Sequence, residues 1–173
     1  AQGCTLHQTL LAAWSVVLSK LSGQRDLVIG TPSANRDQAQ THELIGFFVN
    51  TLPLRLRLED NPSVEALLRQ ARQVAIEAQD RQQLPFEQIV EIVKPARSLA
   101  HSPIFQALFA WQNNEKGALE LPGLRLSMAG EFEPVAKYDI ELTLAEGPAG
   151  SGIQGALSYA TSLFSAASMH RHV

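Results

Sequence analysis

Cysteine is almost missing from this chain of 173 residues: the single one, Cys4, stands at the start of the first helical pattern. One cysteine excludes an internal disulfide framework and any cysteine-rich zinc site. Neither charge sign dominates, with 14 Lys and Arg against 17 Asp and Glu and a formal net charge of -3. The basic footprint of a nucleic-acid binder is therefore lacking. No apolar run approaches the ~18 residues that a membrane span needs. No basic segment followed by an apolar core opens the chain, as a signal peptide would. What is present is 45% apolar residues, the composition of a packed domain, in a length that buries roughly 70% of the unfolded surface. The expectation is one soluble, cytoplasmic domain with no nucleic-acid and no membrane partner. A helical pattern begins within five residues of Ala1 and another is in progress at Met169 to Val173, so both edges read as cuts in a longer polypeptide.

The elements follow from periodicity and punctuation. Thr5 and Gln8 have capping-box spacing, and Ser22-Gly23 ends the helix they open. Leu6, Leu10, Val17 and Leu21 form one apolar stripe and Leu11, Trp14 and Leu18 a second, which predicts burial on more than one side. Asp26 to Thr31 reads as an interior strand and Pro32 to Thr41 as a polar loop. Ile45 to Leu58 begins as a continuous apolar run and ends in alternation, predicting a strand buried on both faces that emerges half exposed. Asn61-Pro62-Ser63 starts a helix with Val64, Leu67, Leu68, Ala71, Val74, Ala75 and Ala78 along one face. Phe86 to Val93 is a shorter helix, Ile104 to Trp111 a buried strand, and a brief strand is expected near Leu124. Asp139 to Leu144 alternates, and Ile153 to Tyr159 is its hairpin partner across a turn from Gly147 to Gly152. The order predicts an α/β fold, a mixed β-sheet flanked by helices.

Local chemistry is sparse. No HExxH or CxxC spacing occurs, the five histidines are scattered, and no metal site is expected. The Gly147 to Gly152 run lacks the Lys-Ser or Lys-Thr of a phosphate loop. Ser33 is outside a GxSxG elbow, and Cys4 reads as inert. No self-contained catalytic constellation emerges.

Six phrases taken in order say more: VIGTPSANR (Val28 to Arg36), IGFFVNTLPLR (Ile45 to Arg55), QQLPFEQIVE (Gln82 to Glu91), RSLAHSPIFQALFAWQN (Arg97 to Asn113), KYDIELTL (Lys137 to Leu144) and LSYATSLFS (Leu157 to Ser165). Together they resemble the C-terminal half of nonribosomal peptide synthetase condensation domains, across nearly the whole chain. The resemblance implies that residues 1–173 form one lobe of the chloramphenicol-acetyltransferase-like, CoA-dependent acyltransferase fold. In that family two lobes enclose a tunnel where an acceptor amine attacks a donor thioester, both delivered on the phosphopantetheine of carrier proteins. The partners implied are the N-terminal lobe, donor and acceptor carrier proteins and a neighbouring adenylation domain, with no cofactor bound intrinsically. The family's HHxxxDG motif belongs to the other lobe, and this sequence holds no HH pair. No catalytic residue is therefore expected in this chain, and the fragment alone is expected to be inactive.

The same resemblance points to Asn50, Thr31, Ser33 and Tyr138 as tunnel-lining residues. Asn50 has the alternative of tying down neighbouring backbone, Thr31 and Ser33 that of a plain turn, and Tyr138 that of a core tyrosine. Arg36 and Asp139 are assigned structural or interface roles, as a charge-assisted bond holding loops together. Two relatives of the same fold remain as alternatives, an epimerisation domain and a heterocyclisation domain. A non-catalytic lobe that docks carrier proteins is a third. A lobe without its partner is expected to expose a contiguous apolar patch.

Overall fold

The computed structural model describes residues 3–96, 98–113, 124, 135–147 and 151–171. The first helix, α1 (Leu6–Ser22), opens with the expected capping box. Gln8 N–H donates to Thr5 Oγ1 at 3.2 Å, and Thr5 N–H donates to Gln8 Oε1 at 2.9 Å. Gly23 closes it at φ 72°, the left-handed conformation in which glycine carries no side-chain penalty. There follow β1 (Asp26–Ser33), a single 3-10 turn (Ala39–Thr41), β2 (Asn50–Arg57), α2 (Val64–Gln79) and α3 (Phe86–Val93). The chain continues through β3 (Ala107–Gln112), β4 (Ile140–Glu146), β5 (Ile153–Tyr159) and a one-turn α4 (Ala166–Met169). Leu124 is described as an isolated bridge; the rest of the strand expected around it lies outside the described residues.

The five strands form one mixed sheet in the order β2-β1-β3-β4-β5. β1 runs antiparallel to β2 and parallel to β3, β3 is parallel to β4, and β4 pairs antiparallel with β5. Alternation assigns the two faces. Ile29 of β1, Leu52, Leu54 and Leu56 of β2, and Phe109 of β3 pack with Leu11 and Trp14 of α1 and Leu67 and Ala71 of α2. Leu142 and Leu144 of β4 and Leu157 and Tyr159 of β5 extend the same layer, as the predicted hairpin requires. Each fully buried Leu or Ile here contributes on the order of 1.5–3 kcal/mol. The opposite face carries a smaller cluster of Phe105, Leu108 and Ala110, with Val28, Phe86 and Tyr138 against it.

Three expectations are corrected. Ile45 to Val49 is irregular chain and not the start of a strand; β2 begins at Asn50, and Ile45 and Phe47 are 105% and 92% exposed. The continuous apolar run signals a surface that wants cover, and among the described residues Phe48 is half-covered, by the Arg36 guanidinium, while Ile45, Phe47 and Val49 stay exposed. Leu6, Val17 and Leu21 of the first α1 stripe are also exposed, because the helix packs mainly through Gln8, Leu11, Ala12, Trp14 and Ser15, with Leu10 and Leu18 half-buried at the margin. Finally, β3 starts at Ala107 and not at Ile104, since Ile104 takes a positive φ of 68° that no strand accommodates.

Gly30 tests the two-face packing. A Cβ on Gly30 would come within 2.3 Å of the Phe105 ring. Gly30→Ala is expected to lose about 1–3 kcal/mol by overpacking, read from the urea midpoint, and Phe105→Leu in the same chain to recover part of it. An unchanged midpoint would contradict this packing.

Candidate functional site

The site grows from the end of β1. Leu27, Ile29 and Thr31 turn toward the helices, where Ile29 is fully buried and Thr31 nearly so. The strand leaves the sheet at Ser33, which the β1–β2 register sets directly opposite Asn50. Three of the predicted residues thus meet at one corner of the sheet, where β1 ends and β2 begins.

Asn50 commits its whole amide to backbone groups, three of them in the stretch from Gln82 to Phe86. Its Nδ2 donates to Gln82 O at 2.7 Å and to Leu84 O at 2.8 Å. Its Oδ1 accepts from Thr51 N–H at 2.9 Å and from Phe86 N–H at 3.2 Å. The Phe86 contact has a clear cause. Pro85 occupies the N-cap of α3 and offers no side-chain acceptor, so an orphan N–H of the first turn is answered from β2. Ser33 joins the same loop through its side chain: Oγ donates to Gln82 Oε1 at 2.5 Å and accepts from Asn35 N–H at 3.2 Å. Gln83 adds a third tie, donating to Asp37 Oδ2 at 2.7 Å.

Two cavities flank this corner. On the helical side a space of about 370 Å³ is lined by His7, Thr31, Ser33, Gln79, Trp111 and Asn113, among others. Thr31 Oγ1 lies 3.5 Å from His7 Nε2, and the His7 ring stacks at 5.3 Å on Phe109. Burial pushes the His7 pKa below its ordinary value, so the imidazole is neutral at pH 7. On the opposite face a space of about 480 Å³ is lined by Asn50, Phe48, Phe86, Phe105 and Tyr138 among others. The Tyr138 ring packs on Phe105 at 5.3 Å, with Lys137 Nζ 5.6 Å from its centroid. The structure therefore brings Thr31 and Ser33 to one cavity and Asn50 and Tyr138 to the other. Gln82 is the link between them. A larger cleft of about 870 Å³ lies against the end of α3, around Val90, Lys94, Leu99 and His101. Glu91 and Ser98 also line it, but it holds none of the residues expected from the sequence, which gather instead at the β1–β2 corner.

Arg36 and Asp139 do not pair. The Arg36 guanidinium donates to Thr41 O and, at 3.5 Å, to His42 O, and it lies 4.3 Å from the Phe48 ring centroid. Asp139 offers its backbone carbonyl to Ala160 N–H at 3.0 Å. Strand order does not keep their segments apart, since the neighbouring Asn35 and Tyr138 line one cavity; the guanidinium is instead taken up within its own loop by the Thr41 and His42 carbonyls and the Phe48 ring. Among the described residues the one ion pair is Arg55 with Asp26 at 2.6 Å, exposed and away from both cavities. No group of three or more metal-ligating side chains occurs among the described residues.

His7 and Gln82 are absent from the sequence-derived set. His7 and Gln8 are polar residues on the helix face that buries Leu11 and Trp14, and that misplacement is the signal that could have marked them. Gln82 carried no such signal, because its partners are 32 and 49 residues away.

Two predictions follow the geometry. Asn50→Ala should cost about 1–3 kcal/mol by leaving half-buried carbonyls without donors, with hydrogen exchange accelerated first at residues 82–86. For His7, the folded pKa lies below the unfolded reference of 6.5. Its unfolded form therefore binds more protons as pH falls through 6.5, and stability must drop below that pH until the folded ring protonates too. His7→Gln should flatten that part of the stability–pH curve; an unchanged slope would contradict the burial of the ring.

A family model for the condensation domain matches residues 1–173. The chain is 51% identical over 171 residues to malpinin synthetase of Mortierella alpina, covering 99% of this chain and 2% of that protein. It is 37% identical over 169 residues to tyrocidine synthase 3 of Brevibacillus parabrevis, covering 98% of this chain and 3% of that one. Among solved structures it is similar to the X-domain from teicoplanin biosynthesis, with a TM-score of 0.86 and 29% identity over 97% of this chain and 39% of that chain. A four-domain nonribosomal peptide synthetase bound to AMP and glycine gives a TM-score of 0.82 and 27% identity, covering 96% of this chain and 14% of that one. The chain thus spans a small fraction of the synthetases it resembles. The mixed sheet flanked by helices is the fold of these neighbours, and the family model that matches the whole length shows that this chain belongs to the condensation-domain family.

Proposed function

We propose that the chain is the C-terminal lobe of a condensation domain in a nonribosomal peptide synthetase and forms one wall of an amide-forming tunnel. The acceptor amine attacks the carbonyl of the donor thioester, the carbon–sulfur bond breaks, the donor arm leaves as a thiol, and the amine gives up its proton. Both groups arrive on phosphopantetheine arms, which are part of the substrate and not a resident cofactor. The partners in this reading are an N-terminal lobe, donor and acceptor carrier proteins and an adenylation domain of the same synthetase. Relatives of much greater length support that setting.

The observation that carries the reading is the convergence of Thr31, Ser33 and Asn50 at one sheet corner, with hydroxyls directed at a polar cavity and the amide holding the loop behind them. These groups position and hydrogen-bond. Nothing among them can deprotonate an amine except neutral His7, whose Nε2 faces Thr31. The base is assigned to the HHxxxDG histidine of the other lobe. Exposed Ile45 and Phe47, beside Asn50, suit the face that meets that lobe.

The test is amide formation between two loaded carrier proteins, followed by mass spectrometry. No product is expected from this chain alone, and product is expected once an N-terminal lobe bearing HHxxxDG is supplied. Product from the chain alone would move the catalytic base to His7.

A further inference from the structure

The Ser33 hydroxyl has a defined hydrogen-bond polarity. A hydroxyl has one hydrogen to donate and two lone pairs to accept with. The Gln82 Oε1 carries no hydrogen, so the 2.5 Å contact uses the Ser33 proton. Asn35 N–H, at 3.2 Å, occupies one lone pair. One lone pair is left for the cavity that Ser33 shares with His7, Thr31 and Asn113. We propose that Gln82 is a positioning residue that fixes Ser33 Oγ as an acceptor toward this cavity, so that the wall selects an N–H of the bound substrate over a carbonyl.

Gln82 suits this role because its backbone is held independently of its side chain. Its N–H donates to Gln79 O at 3.1 Å, and its carbonyl accepts from Asn50 Nδ2 at 2.7 Å. The side chain is thereby free to face Ser33, and replacing it leaves the Asn50 clamp in place. Gln82 itself does not line the cavity, so it acts through Ser33 and touches no ligand. The cavity's titratable residue, His7, is uncharged at pH 7, so hydrogen-bond direction, not charge, discriminates there. Two N–H sources share the chemistry: the acceptor amine and the amides of the phosphopantetheine arm. The inference rests on the function proposed above.

The experiment uses the complete condensation domain within its synthetase, with kcat and KM for the aminoacyl carrier measured separately in Ser33→Ala, Gln82→Leu, Gln82→Glu and the Ser33→Ala/Gln82→Leu double variant. Ser33→Ala and Gln82→Leu should each raise KM about tenfold, with kcat within about twofold. The double variant should be no worse than Ser33→Ala, because Gln82 acts through that hydroxyl. Gln82→Glu should restore KM, since a carboxylate only accepts. A Gln82→Leu domain with unchanged KM, or additive effects near a hundredfold, overturns the proposal. Repeating the series with an aminoacyl ethyl thioester, which lacks the arm's amides, assigns the donor. A penalty that persists identifies the amine and one that vanishes identifies an arm amide, and either supports an acceptor at Ser33. If the unsubstituted domain forms no amide at all, the proposed function itself fails; if it does and only the variants misbehave, the positioning role alone is wrong.

Discussion

The side-chain amide of Asn50 ties the start of β2 to the stretch from Gln82 to Phe86, more than thirty residues further along the chain. Its donors take the carbonyls of Gln82 and Leu84, and its acceptor takes the first N–H of α3. Remove that amide and β2 has no fixed start, α3 has no N-terminal partner, and Gln82 is no longer presented to Ser33. The sheet would survive, because its register is set along the full length of β1 and β2 and its core by Ile29, Leu54, Leu56 and Phe109. The corner would not. The helical face of the sheet carries most of the burial, and the β1–β2 corner carries the polar geometry.

Placing a polar corner at the end of a buried strand solves a desolvation problem. β1 is covered on both faces, and Thr31 is buried with it. A buried hydroxyl without a partner is costly, and the structure answers each one locally, with His7 beside Thr31 and with Gln82 and Asn35 about Ser33. Thr31 and Ser33 both line the cavity on the helical side. On the function proposed above, a substrate entering there would meet groups already oriented, which reduces the ordering needed at the moment of binding.

How much of this was readable in advance depended on range. Thr5 with Gln8, the α2 stripe and the β4–β5 hairpin are local patterns, and the structure has all three. Local pattern also misled. The run from Ile45 to Val49 has the composition of a buried strand yet is exposed irregular chain, because periodicity reports a demand for burial without saying which molecule meets it. The stripe of Leu6, Val17 and Leu21 misled in the same way. Asn50, Thr31 and Ser33 entered through family resemblance, and only the fold relates them, through a glutamine whose own neighbours in sequence give no hint of it. Arg36 likewise finds its partners in its own loop, at the Thr41 and His42 carbonyls and the Phe48 ring, and not at Asp139.

The central claim is that the β1–β2 corner is the face that meets substrate. Its most direct test is chemical-shift mapping on the complete domain, using a carrier protein whose phosphopantetheine bears a non-hydrolysable aminoacyl amide. The largest shifts are expected at Thr31, Ser33, Asn50 and residues 82–86, with smaller changes elsewhere. Shifts confined to the larger cleft around Val90, Lys94 and Leu99 would contradict it.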